Sequence, residues 1–74
     1  MEQRKITKRD IAFGKRLKKL RKEADLSQEE LAVRSKVSLP FIGMVETGKR
    51  RMSVDTMLKV ARVLGIKVSD LLPF

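Results

Sequence analysis

The chain has 74 residues and a formal net charge of +9, set by 18 Lys and Arg against nine Asp and Glu. It contains no Cys, His, Trp or Tyr, which rules out a disulfide framework, a thiolate metal site, the commonest zinc ligand and the commonest general base. Catalysis would be left to carboxylates, hydroxyls and lysines, so the expectation is a protein that is not an enzyme and that uses no cofactor and no metal.

In chain order, residues 1–9 (MEQRKITKR) show no apolar periodicity and read as a flexible basic arm, with one domain over 10–74. The charge is concentrated early: residues 1–22 hold ten Lys or Arg against Glu2 and Asp10, a net of +8, whereas residues 23–74 hold eight against seven, a net of +1. Such an excess favours a polyanionic partner, with nucleic acid ahead of an anionic membrane surface. No run is apolar enough to span a bilayer or to serve as a signal peptide, so the default location is the cytoplasm. Asp10 is the expected cap of a first helix. Its apolar stripe is Phe13, Leu17, Leu20 and Ala24, and Lys15, Lys18, Lys19 and Lys22 occupy the opposite face.

Residues 26–48 carry the densest signal. Ser27 and Glu30 have the spacing of a capping box, which opens a helix over roughly 28–35 with Leu31 and Ala32 facing inward. Ala32 is small enough for a close crossing with a second helix over roughly 39–47. That helix is capped by Ser38, buries Ile42 and Val45, and ends at Thr47-Gly48 with glycine in the left-handed position. Two short helices joined by a tight turn are the pattern of a helix-turn-helix, whose second helix enters the DNA major groove. A basic loop, Lys49-Arg50-Arg51, follows. Ser53 then caps a fourth helix, with Asp55 in its first turn, an inner stripe of Met57, Val60, Ala61 and Leu64, and Gly65 as its stop. A brief last helix has Val68, Leu71 and Leu72 as its apolar residues, Ser69 or Asp70 as its cap and Pro73 as its end. With no strand alternation and no internal repeat, the fold class is all-α, a compact five-helix domain.

Residues 13–72 resemble the phage-repressor and Cro type of helix-turn-helix domain, a family of bacterial and phage regulators that includes restriction–modification controller proteins. The resemblance rests on Ser27-Gln28, Leu31-Ala32, Val37-Ser38, Ile42, Val45-Glu46 and Gly48-Lys49-Arg50 in combination, and on Ser53, Thr56, Leu58, Ala61 and Leu64-Gly65 after them. It implies an internal ion pair between Arg21 and Glu46 and a recognition helix starting at Ser38. It further implies base-facing positions at Ser38, Leu39, Pro40 and Met44, and phosphate-side positions at Gln28, Phe41, Gly43, Lys49, Arg50 and Arg51.

Two features depart from the family pattern. Lys36 stands where the turn usually has glycine, which implies a non-glycine residue at positive φ. The recognition face is also unusually apolar. Ser38 alone offers a side-chain hydrogen-bonding group there, while Leu39, Pro40 and Met44 suit thymine methyl groups.

The implied function is sequence-specific binding of double-stranded DNA by a transcriptional regulator, a repressor or autoregulator on a pseudo-palindromic operator read through the major groove. RNA polymerase is a further partner if the protein activates. Ile66, Val68, Leu71, Leu72 and Phe74 exceed what a small core needs and are expected in a homodimer interface, which would set two recognition helices about 34–36 Å apart. The arm residues Arg4, Lys5, Lys8 and Arg9 are read either as minor-groove contacts or as solubilising charge. The lysines of the first helix are read either as DNA contacts or as a solvated face. Leu39, Pro40, Phe41 and Met44 have a rival reading as the docking face of an antitoxin-like protein-interaction module, with Phe41 covering the core edge. Residues 4–22 have a third, as a basic amphipathic membrane-surface segment.

Overall fold

A computed structural model describes residues 5–74, which form α1 (Lys8–Glu23), α2 (Gln28–Ser35), α3 (Leu39–Glu46), α4 (Val54–Leu64) and α5 (Val68–Leu71). The described residues contain no strand. Three helices start as their sequences dictate. Ser27, Ser38 and Ser53 each turn a side-chain oxygen onto the backbone N–H three residues on, at 3.0, 3.2 and 3.2 Å. In α2 the box is reciprocal, because the Ser27 N–H donates to Glu30 Oε1 at 2.9 Å. Hydrogen bonds from the Ser27 backbone and then its side chain hold the Glu30 carboxyl below the ordinary carboxylate range.

The first and last helices begin elsewhere than expected. Thr7, not Asp10, caps α1: the Thr7 hydroxyl accepts from the Asp10 N–H at 3.1 Å, and Asp10 Oδ2 accepts from the Thr7 N–H at 2.9 Å. Asp10 is therefore the acidic partner of a capping box, and Lys8 and Arg9 belong to the helix, not to an arm. Arg4 and the rest of the arm through residue 4 lie outside the described residues. In α5 the pattern repeats: Lys67 occupies the cap position, and Asp70 accepts from its N–H at 3.0 Å, so neither Ser69 nor Asp70 is the cap.

The ends of α1 to α4 share one device. The first or second residue after each helix turns to positive φ, and the next N–H reaches back five residues. Leu26 donates to the Arg21 carbonyl, Val37 to Ala32, Lys49 to Met44 and Ile66 to Ala61, at 2.8–3.1 Å. These are Schellman closures. Gly48 and Gly65 supply the left-handed residue in two of them, at φ 81° and 69°, whereas Lys36 and Asp25 adopt it in the others, at φ 58° and 59°. The strained turn expected at Lys36 is present, and Asp25 repeats it without any sequence signal.

The core is formed by Phe13 and Leu17 of α1, Leu31 and Ala32 of α2, Ile42 and Val45 of α3, Val60 and Ala61 of α4 and Leu71 of α5, with Leu26 and Met52 from loops. The α1 stripe ends at half-buried Leu20, since Ala24 is the exposed C-cap. Leu71 overturns part of the dimer expectation. It is completely buried within the protomer, and Ile66 and Val68 are half-buried against the same core. The single turn of α5 needs Leu71 as its anchor, and Arg16 Nε ties that turn to α1 by donating to the Asp70 carbonyl at 2.8 Å. Leu72 and Phe74 keep substantial exposure.

Candidate nucleic-acid interface

The geometry of α3 divides by face. Ile42 and Val45 are sunk in the core, while Leu39 and Met44 on the other side are 43% and 40% exposed. Ser38 and Pro40 are exposed beside them, at the start of the helix. Pro40 sits within the first turn, where no intrahelical N–H bond is lost. Phe41 and Gly43 are half-buried. Phe41 packs against the core, as the alternative reading of that residue expected.

Two arrangements fix α3 to the rest of the domain. One is the buried pair between Arg21 and Glu46. Arg21 Nε donates to Glu46 Oε2 at 2.7 Å and Nη2 to Oε1 at 3.1 Å, a two-point contact, while Nη1 donates to the Leu26 carbonyl at 2.8 Å. Both side chains are under 10% exposed, at 8% and 2%. A carboxylate and a guanidinium this deep persist because all three guanidinium nitrogens donate and both carboxylate oxygens accept. Gln28 adds a donor: its Nε2 lies 2.9 Å from Glu46 Oε1. Gln28 therefore makes an internal bond in addition to standing where the family resemblance puts a phosphate contact.

The other arrangement was not legible beforehand. Gly14 lies two turns before Arg21 on α1, where a Cβ would fall 2.5 Å from the carbonyl oxygens of both Val45 and Glu46. The α1 backbone thus touches the C-terminal backbone of α3 directly, and no side chain fits between them. Gly43 is the opposite case. A Cβ there would meet nothing within 4 Å, so the protein's own packing does not ask for glycine in the middle of this helix.

The basic loop is more ordered than its composition suggests. Lys49 is exposed. The Arg50 guanidinium lies over the Phe41 ring, 5.5 Å from its centroid. Arg51 Nε donates to Asp10 Oδ1 at 3.0 Å, with the Asp10 side chain 7% exposed and that of Arg51 62% exposed. This link joins the first turn of α1 to the loop after α3 across 41 residues of sequence. The residues expected to act from an arm are also placed differently. Arg9, in the first turn of α1, lies over the Phe74 ring at 5.0 Å, which draws its side chain toward the C-terminus. No helix among the described residues is long and apolar enough to cross a membrane.

On the surface away from α3, Val54 and Leu58 of α4 are 66% and 50% exposed. They stand one helical turn apart, which places them on one face. With Leu72 and Phe74 they are among the large apolar residues left exposed, and α4 was not expected to supply any.

Comparison with known proteins agrees with this geometry. The Helix-turn-helix family model matches residues 17–71. The control protein C.MunI from a Mycoplasma species is 44% identical over 62 residues, covering 82% of this chain and 84% of the relative. The crystal structure of the restriction–modification controller protein C.AhdI from Aeromonas hydrophila superposes with a TM-score of 0.80 at 41% identity, covering 82% of this chain and 92% of the other. The biofilm master regulator SinR, solved in complex with DNA, superposes with a TM-score of 0.76 at 32% identity over 80% of this chain and 95% of SinR. With the two-helix unit, the Arg21–Glu46 fastening and these matches together, the chain belongs to the helix-turn-helix family of DNA-binding transcriptional regulators.

Proposed function

We propose that this regulator acts as a homodimer on a two-fold operator, with α3 of each protomer in the major groove. The observation that carries the reading is the division of α3 into an inner face fastened by Ile42, Val45 and Glu46 and an outer face left open at Ser38, Leu39, Pro40 and Met44. A rigid helix held by one side, with cations directly after it, matches the demands of groove insertion and phosphate contact. Direct readout falls to apolar contacts of Leu39, Pro40 and Met44 with thymine methyl groups and to Ser38. Lys49, Arg50 and Arg51 supply the salt-dependent backbone contacts. Gly43 and Phe41 lie at the backbone side of α3. The amide of Gln28 has two hydrogens, so it can hold Glu46 and a phosphate oxygen at once. Dimerisation through the exposed face of α4 at Val54 and Leu58 sets the half-site spacing, and occupancy of the operator near a promoter gives repression or autoregulation. Contact with RNA polymerase is the route to activation.

Leu39 and Met44 also support a second reading, in which a partner protein covers the same apolar face. The two separate cleanly in one experiment: fluorescence-anisotropy titration of the duplex upstream of the protein's own gene, and of a scrambled duplex, across a salt series. A preference of about a thousandfold or more at physiological salt is expected for the regulator. Equal and weak binding to both duplexes would point to the partner-protein reading. In the same assay Arg51→Ala is expected to reduce the slope of log affinity against log salt by about one unit on every sequence. An unchanged slope would confine Arg51 to its bond with Asp10.

A further inference from the structure

Between the first turn of α1, the loop after α3 and the C-terminus lies an open cavity of about 370 Å³, inside the range of about 300–1,000 Å³ common for organic ligands. Its floor is apolar: Phe13 and Met52 are buried, at 8% and 5% exposure, Met57 is half-buried, and Phe74 forms one wall at 63% exposure. Methionine side chains in such a floor adapt to ligand shape. Arg9, Arg50 and Arg51 are among the residues that line it. Among the described lining side chains Asp10 is the one carboxylate, and its oxygens already accept from the Thr7 N–H and from Arg51 Nε.

The three arginines are held in place. Arg9 is stacked on Phe74, Arg50 on Phe41, and Arg51 is bonded to Asp10. Stacking uses the face of a guanidinium and leaves its in-plane N–H groups as donors, so part of the entropic cost of gathering an anion is met before it binds. A phosphodiester backbone would use the cations but has nothing to place on the apolar floor.

We propose that this cavity binds a small amphipathic organic anion, an apolar ring or short acyl body carrying a carboxylate, sulfonate or phosphate head. Because Arg50 and Arg51 belong both to the cavity and to the basic loop, occupancy lowers DNA affinity. This second statement rests on the proposed DNA contacts of that loop, whereas the site itself does not.

The probe is 8-anilino-1-naphthalenesulfonate, with N-phenyl-1-naphthylamine as the analogue lacking the sulfonate, titrated against the intact protein. The chain has no Trp or Tyr, so dye emission is read without interference. Expected is saturable binding of one dye per chain, with the uncharged analogue weaker by about tenfold or more, as the loss of a charge-assisted contact implies. Arg9→Gln is expected to weaken the dye by about tenfold on the same grounds. Lys18→Gln, which removes the same charge from an exposed position of α1 outside the cavity, leaves it within about twofold, as a long-range charge effect in salt should. Backbone amide shifts on titration should centre on Met57, Leu72 and Phe74. Unsaturable binding, equal losses in Arg9→Gln and Lys18→Gln, or shifts centred on Leu39 and Met44 would each overturn the site. Saturating dye that leaves the affinity for duplex DNA unchanged would overturn the antagonism alone, and absence of DNA binding in the dye-free protein would count against the DNA reading and not against the cavity.

Discussion

The two sides of α3 are built under opposite rules. On the inner side, Ile42 and Val45 are sealed in the core, Glu46 is met by donors from Arg21 and Gln28, and the backbone touches Gly14 of α1. On the outer side, Leu39 and Met44 stand about two-fifths exposed and Gly43 leaves room that nothing fills. The helix has only eight residues, too short to persist alone in water. Its order therefore comes from the inner side, and the outer side is free to be specified by a partner. Changes to the inner face should cost stability, and changes to the outer face should cost binding.

The largest effect is expected where the inner face carries charge. Arg21→Ala leaves Glu46 buried without its two-point partner, and that should cost about 3–5 kcal/mol, a large part of what a domain of this size has to spare. Urea titration followed by circular dichroism reads it directly. A loss below about 1 kcal/mol, typical of an exposed pair, would show that the pair is not what fastens α3.

Next comes the crossing of α1 and α3. Gly14→Ala places a methyl group 2.5 Å from two carbonyl oxygens of backbone, and neither can rotate out of the way. The helices must separate, at a cost of about 1–3 kcal/mol as overpacking elsewhere suggests. For a domain of this length, each kcal/mol corresponds to a fall in melting temperature of about 4–8 °C. An unchanged melting temperature would mean that the crossing is loose. The same separation should lengthen the Arg21–Glu46 contact, so Gly14→Ala and Arg21→Ala are expected to be less than additive when combined.

The two faces also differ in how far the sequence disclosed them. The helices α2, α3 and α4 were readable because each opens on a serine whose hydroxyl caps the chain and each contains apolar residues at helical spacing. The Arg21–Glu46 pair came from the family resemblance, not from spacing. What was hidden is non-local. Gly14 looks like a weak helix residue until α3 is laid across it. Asp10 reads as a cap although it is the acidic partner of Thr7 three residues earlier, and its bond to Arg51, 41 positions away, has no local signal. Leu71 reads as surplus apolar residue because composition does not say which leucine closes the core and which is left for a second copy. Asp25 adopts a left-handed turn that the sequence around it does not announce, since the Schellman bonds of Leu26 and Asp25 compensate for the missing glycine. The exposed pair Val54 and Leu58 lies outside the stripe of Met57, Val60, Ala61 and Leu64 that marks the inner face of α4, and no local pattern announces it.

The smallest expected effect is the sharpest test of the comparison, because it changes sign. Gly43 stands in the middle of α3, where glycine costs about 0.5–1 kcal/mol relative to alanine. Nothing inside the protein collects a benefit from that cost, since a Cβ there meets no atom within 4 Å. Gly43→Ala should therefore stabilise the free protein by about 0.5–1 kcal/mol and raise its melting temperature. If the vacant space is where the DNA backbone approaches, the added methyl group intrudes on a packed contact. Binding to a specific duplex then falls by about tenfold, as an intrusion worth 1–2 kcal/mol implies. Stabilisation together with weaker binding is the signature of an outer face shaped by a partner. Stabilisation with unchanged DNA affinity would move Gly43 off the DNA side of α3, and destabilisation would mean that the outer face is packed after all.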